Sequence, residues 1–217
     1  MNEIFSQLII AALCAFALIA SAMGAEPEDV ADMHAHHHMM QMMMQTKSSI
    51  VDYKVPEIQL VRQDGKQVSL AQELNDGRPV VMNFIYTTCT TVCPLTSQTF
   101  ADLQNKLGSE RDKVHMVSIS IDPEQDTPQV LAEYAHKYGA GQQWQFYTGT
   151  VEASVAAQRA FDAYRGGKMK HNPVTFIRTA PGKPWLRIEG FAKSDELLHG
   201  LGNMATSDSA QPANIAY

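Results

Sequence analysis

Three cysteines in 217 residues are too few for a disulfide-dense scaffold. Charge is sparse as well, at 18% Asp, Glu, Lys and Arg against about a quarter in an average domain. The 17 Lys and Arg form no long basic block, which excludes the usual footprint of a nucleic-acid binder. Gly-x-Gly-x-x-Gly is absent, so there is no glycine-rich phosphate loop, and no internal repeat recurs along the chain. The 23 acids set a formal charge of −6, and a hydrophobic content of 45% excludes wholesale disorder. The length suits one domain of ordinary size, or at most two small ones.

The plentiful residues are unevenly placed. Residues 8–22 (LIIAALCAFALIASA) form a 15-residue uncharged apolar run, followed by the small-x-small pattern Ala22-Met23-Gly24. Residues 1–25 therefore read as a secretory signal peptide. The segment before the run carries no Lys or Arg, and extension to Ala25 gives 18 apolar or small residues. An uncleaved anchor in the inner membrane is the alternative. Leu13 before Cys14 argues against a lipoprotein, and the lack of Arg against an organellar transit peptide. Export implies the bacterial periplasm. Cleavage removes Cys14 and leaves Cys89 and Cys93, an even pair in a compartment where thiols oxidise.

Residues 26–49 read as a mobile tail, with neither apolar alternation nor helix caps. Residues 33–45 (MHAHHHMMQMMMQ) hold four of the eight His and six of the twelve Met. Thioether sulfur is soft and suits Cu(I), whereas imidazole suits Cu(II) and other late divalent ions. Met33, His34, His36, His37, His38, Met39, Met40, Met42, Met43 and Met44 are thus candidate auxiliary copper ligands. A Met-rich helical stripe would need helical spacing, and this run is nearly continuous. A purification tag would not normally sit behind a signal peptide.

Residues 50–204 have globular texture, and 205–217 a polar, frayed one. Ile58 to Leu60 and Val68 to Leu70, around the turn signal Gln63-Asp64-Gly65-Lys66, predict a hairpin. The near-continuous apolar run 79–86 predicts a strand buried on both faces. Pro94, with Phe100, Leu103 and Leu107 on one face, predicts a helix. A second buried strand is expected over 115–121 and a helix from Asp126-Thr127-Pro128, where Asp126 or Thr127 caps the first turn. A short strand at 145–147, a helix from Val151, paired strands at 174–177 and 185–188 and a final helix capped by Ser194 complete an α/β order with one mixed sheet.

The chemistry concentrates at Thr88-Cys89-Thr90-Thr91-Val92-Cys93-Pro94, where a strand ends and a helix begins. Ligands of open α/β sheets bind outside the carboxyl ends of strands. Cysteines four apart share a face if the turn is helical, close enough to hold one metal or to form a disulfide. A helix N-terminus lowers thiol pKa and supplies the thiolate that either chemistry requires. Of the histidines in the globular part, His136 and His199 fall within helices. His115 starts a strand at the edge away from the cysteines, and His171 in Lys168-Met169-Lys170-His171-Asn172-Pro173 can fold over the cysteine turn. Two sulfurs and one imidazole make a plausible soft copper site.

The stretch Asn83-Phe-Ile-Tyr-Thr-Thr-Cys-Thr-Thr-Val-Cys-Pro94 resembles the core motif of the Sco/SenC copper chaperones. Ser118-Ile-Ser-Ile-Asp-Pro-Glu-Gln-Asp-Thr-Pro128 resembles their second motif, and Trp144 with Tyr147-Thr-Gly149 their third. The resemblance implies a thioredoxin-like fold and a copper site of Cys89, Cys93 and His171. It also implies work on the dinuclear copper centre of cytochrome c oxidase, as metal donor or thiol reductant. Lys170 stands before His171 where many relatives carry Asp. Two functions compete: a metallochaperone handling Cu(I) and Cu(II), and a thiol–disulfide oxidoreductase cycling Cys89 and Cys93. A peroxidase of the peroxiredoxin type is a third, since Thr90-Thr91-Val92-Cys93 has its Thr-x-x-Cys spacing.

Overall fold

The computed structural model describes residues 45–209, with side chains as far as residue 202. The expected signal peptide, the Met/His ligands at 33–44 and the last eight residues lie outside the described part. Strand β1 (Lys47–Val51) precedes a hairpin of β2 (Gln59–Arg62) and β3 (Gln67–Ser69), then helix α1 (Leu70–Leu74). Next come β4 (Val80–Ile85), α2 (Val92–Leu107), a 3-10 turn (Gly108–Lys113), β5 (His115–Ser120) and α3 (Pro128–Lys137). The chain continues through β6 (Trp144–Thr148), α4 (Val151–Ala160), a 3-10 turn (Lys168–Lys170), β7 (Val174–Arg178), β8 (Trp185–Glu189) and α5 (Ser194–Ser209).

All eight strands join one sheet in the order β1-β8-β7-β4-β5-β6-β2-β3. Strands β4, β5 and β6 run parallel and the other pairings are antiparallel. Every residue of β4 is buried, and its side chains alternate between two cores. Val81 and Ile85 face Phe100 and Leu103 of α2, Leu131 and Tyr134 of α3, and Leu197 of α5. Val80, Met82 and Phe84 face Leu70 and Leu74 of α1 and Ala157 and Phe161 beside α4. Each such side chain contributes about 1.5–3 kcal/mol by leaving water. The helix starts follow their capping residues: Thr127 accepts from Val130 N–H at 3.3 Å ahead of Pro128, and Thr150 accepts from Ala153 N–H at 3.1 Å.

The structure departs from the sequence reading in three places. The first described strand starts at Lys47, so residues 47–49 belong to an edge strand and not to the tail. Leu70 opens helix α1 instead of extending the hairpin, because Ser69 caps it by accepting from Gln72 N–H. The final helix continues to Ser209, past the expected fraying point at 205. No peptide bond among the described residues is cis, so Pro173 is an ordinary trans proline. Among the described residues, no helix is long and apolar enough to cross a membrane.

Register fixes what meets at the cysteine end of the sheet. Strand β7 is antiparallel to β4, which brings its first residue, Val174, to the carboxyl end of β4. Val174 pairs with Glu189 of β8, and Glu189 pairs with Lys47 of β1. The opposite end holds Val80, His115 and Arg178.

Candidate metal and thiol site

The backbone leaves β4 through Tyr86 and Thr87 and turns, with Cys89 N–H donating to Tyr86 C=O at 3.2 Å. Helix α2 starts only at Val92, so Cys93 is helical and Cys89 is not. The condition for one helical turn bearing both sulfurs is therefore not met. Thr91, at the N-cap position, makes no side-chain cap. Cys89 Sγ takes that role by accepting from Cys93 N–H at 3.3 Å. Cys93 Sγ in turn accepts from Tyr86 N–H at 3.4 Å. Both are free thiols; Cys89 keeps 8% exposure and Cys93 none.

The two sulfurs differ electrostatically. Burial opposes ionisation of Cys89, but N–H groups of Cys93 and Thr91 and the Tyr86 hydroxyl outweigh it and bring the thiol down to about 7. Burial drives Cys93 far above the ordinary thiol range; Tyr86 N–H opposes the rise and the neighbouring Cys89 adds to it. Burial and donation to Cys89 push the Tyr86 phenol up to about 12. Sequence reasoning expected the helix terminus to supply a thiolate without saying which sulfur carries it; the structure gives that benefit to Cys89.

Three further residues support the turn. Asp126 is fully buried and accepts from Thr87 N–H (3.2 Å), Thr87 Oγ1 (2.5 Å) and Ser120 Oγ (2.6 Å). It therefore ties the cysteine turn to the end of β5, and Thr127 alone caps α3. Asp122 accepts from Lys168 Nζ at 2.5 Å, and that ammonium lies 5.8 Å from the Tyr86 ring centroid. From sequence, Asp122 and Asp126 stood as candidate supports of the site beside the capping alternative for Asp126, while Tyr86 and Lys168 gave no signal.

His171, ahead of β7, lies with its Nε2 3.0 Å from Phe84 C=O. A carbonyl only accepts, so Nε2 carries the proton and Nδ1 keeps the lone pair. Burial lowers the His171 pKa, with the Phe84 hydrogen bond opposing and Arg165 reinforcing the fall, which keeps the ring neutral. The cysteines are brought together; His171 reaches the same end of the sheet. Among the described residues, however, no three His, Cys, Asp or Glu side chains stand close enough to hold a metal. The other histidines stay away: His136 and His199 are exposed on helices, and buried His115 approaches Tyr147 Oη and Glu73 C=O at the far end.

A mixed α/β sheet with a low-pKa thiol at a strand-to-helix turn and a buried thiol four residues on, in the first turn of the helix, defines a thioredoxin-like dithiol protein. Comparison with known proteins narrows this. The family model described as SCO1/SenC matches residues 50–205, and the chain belongs to the SCO1/SenC family. The SCO1 protein homolog of Bacillus subtilis (strain 168) is 37% identical over 106 residues, covering 48% of this chain and 54% of that protein. Protein SenC of Rhodobacter capsulatus is 32% identical over 100 residues, covering 46% and 44%. The match thus spans about half the length of these relatives. The structure of BsSco, described as a member of the Sco family of cytochrome c oxidase assembly proteins, aligns at 28% identity and TM-score 0.60, covering 73% of this chain and 96% of that one. Copper-bound ScoI of Arabidopsis thaliana shares the fold at 24% identity and TM-score 0.58, covering 69% and 96%.

Proposed function

We propose that this protein is an exported copper chaperone that binds one copper ion through Cys89, Cys93 and His171. Its recipient is the dinuclear copper centre of cytochrome c oxidase or another periplasmic copper protein. The observation that carries this reading is the paired, unequal thiols: Cys89 offers a thiolate near neutral pH, and buried Cys93 lies one hydrogen bond away. Two soft sulfurs with a neutral imidazole suit Cu(I), and the thiolate–imidazole set also serves Cu(II). His171 presents Nδ1 while its other nitrogen is held by Phe84 C=O, the arrangement in which metal-binding histidines are ordinarily oriented. The donors are not preassembled, so uptake includes movement of the 165–171 loop, with Gly166 (φ 82°) in its path.

The same thiols favour a second reading, a thiol–disulfide oxidoreductase in which Cys89 attacks and Cys93 resolves. Kinship with BsSco, whose structure is described as revealing a disulfide switch, points the same way. His171 separates the two. His171→Ala removes a copper donor but leaves both participants in exchange. It should weaken copper binding against a competing chelator while reduction of a small disulfide substrate persists; Cys89→Ser or Cys93→Ser should lose both. The reduced protein with Cu(II) should show a sulfur-to-metal charge-transfer band. A colourless protein that retains only zinc would defeat the copper reading, and unchanged copper affinity in His171→Ala would favour the oxidoreductase.

A further inference from the structure

Met169 is the most exposed large apolar side chain in the described domain, at 83%, whereas Met82 and Met116 are fully buried. It contributes nothing to either core. Yet the chain on both sides of it is anchored in this state of the loop. Lys168 Nζ bonds to Asp122 at 2.5 Å and lies over the Tyr86 ring, and His171 Nε2 bonds to Phe84 C=O at 3.0 Å. Both anchor points, Phe84 and Tyr86, lie on the segment that runs directly into Cys89. The 3-10 turn Lys168–Lys170 is thereby held across the end of β4, with Met169 on its solvent side.

A thioether in this place has a specific chemistry. It is soft, uncharged and proton-free, so it binds Cu(I) reversibly without a pH cost. Lys168 and Lys170 flank it in the chain, but Lys168 is paired with Asp122 and Arg165 with Asp162, so the preference for Cu(I) rests on the softness of the sulfur. Resting on the copper reading above, we propose that Met169 is the transfer ligand of the site, taking Cu(I) from outside and passing it to Cys89. The step is ligand exchange. The bond from copper to its external donor gives way to one with Met169 Sδ, which then gives way to one with Cys89 Sγ. Copper stays Cu(I) and no electron moves. Any proton on a cysteine that binds is released to solvent, and Met169 releases none.

The test uses the reduced full-length chain under anaerobic conditions, with Cu(I) supplied as its bicinchoninate complex. Met169→Leu keeps size and hydrophobicity at an exposed position, so its melting temperature should match the wild type. It should reach the same final copper occupancy, but about tenfold more slowly, equivalent to about 1.4 kcal/mol on the barrier. In Cys89→Ser carrying methyl-labelled methionine, substoichiometric Cu(I) should still shift the Met169 methyl resonance, assigned by its loss in Met169→Leu. Uptake by Met169→Leu at the wild-type rate, or an unmoved Met169 resonance, would overturn the transfer role. Equal final occupancy in wild type and Cys89→Ser would instead overturn the copper reading beneath it.

Discussion

Asp126 shows how a single residue outside the cysteine motif can govern it. Its carboxylate is fully buried and accepts from Thr87 N–H, Thr87 Oγ1 and Ser120 Oγ. Asp126→Ala strands three donors, so it should cost about 3 kcal/mol in urea unfolding and loosen the turn ahead of Cys89. An unchanged urea midpoint would mean that these donors find other partners. The sequence could not reveal this, because Asp126-Thr127-Pro128 is equally a capping pattern, and only the contact with Thr87, 39 positions away, decides. Cys89 and Cys93 were legible because their spacing at a strand-to-helix junction carries its own chemistry. What spacing concealed was the split between them. Alkylation by iodoacetamide should modify Cys89 first and rise with a midpoint at about 7; a midpoint near the ordinary 9.0 would contradict the hydrogen-bond set at that sulfur. A depressed folded pKa stabilises fully above the unfolded value of 9.0 and loses that contribution as pH falls through about 7. Raising the pH across that window should therefore stabilise the wild type more than Cys89→Ser.

Among the elements, the buried strands β4, β5 and β7 were readable from apolar runs, helix α3 from its cap and Pro128, and helix α4 from the spacing of Val151 and Val155. Strand β1 was not. Its residues, Lys47-Ser48-Ser49-Ile50-Val51, are exposed except for half-buried Val51, so no alternation marks them. They pair because β8 offers an open edge, with five register partners from Lys47↔Glu189 to Val51↔Trp185. Thr46 Oγ1 adds a 2.7 Å hydrogen bond to Glu196 of α5. Removing residues through Val51 should lower the urea midpoint and leave β8 as a bare edge prone to pairing between molecules. Light scattering should then rise with protein concentration; a shortened chain as stable and as monodisperse as the parent would make β1 dispensable. The length of α5 was missed for a related reason, since the polar residues after Met204 carry no apolar spacing that distinguishes helix from fray.

At the scale of the whole molecule, the two ends of the sheet each hold a neutral imidazole, fully buried in His115 and half-buried in His171. Burial lowers the pKa of His115, with Arg78 adding to the effect and Asp76 and Glu73 opposing it. Tyr147 Oη lies 3.2 Å from its Nε2. Burial also lowers His171, with Phe84 C=O opposing and Arg165 reinforcing. Both folded values lie below the ordinary 6.5, so their stabilisation is complete above 6.5 and is lost as pH falls through the folded values. The thermal midpoint should drop between about pH 7 and about pH 5, and His115→Gln should reduce that drop. An identical pH slope in His115→Gln would assign acid sensitivity elsewhere. The sheet's register also settles where the polypeptide enters the domain. Lys47 pairs with Glu189, which pairs with Val174, the strand start next to the His171 loop. Entry is thus at the cysteine end, three strand spacings from β4, or about 14 Å.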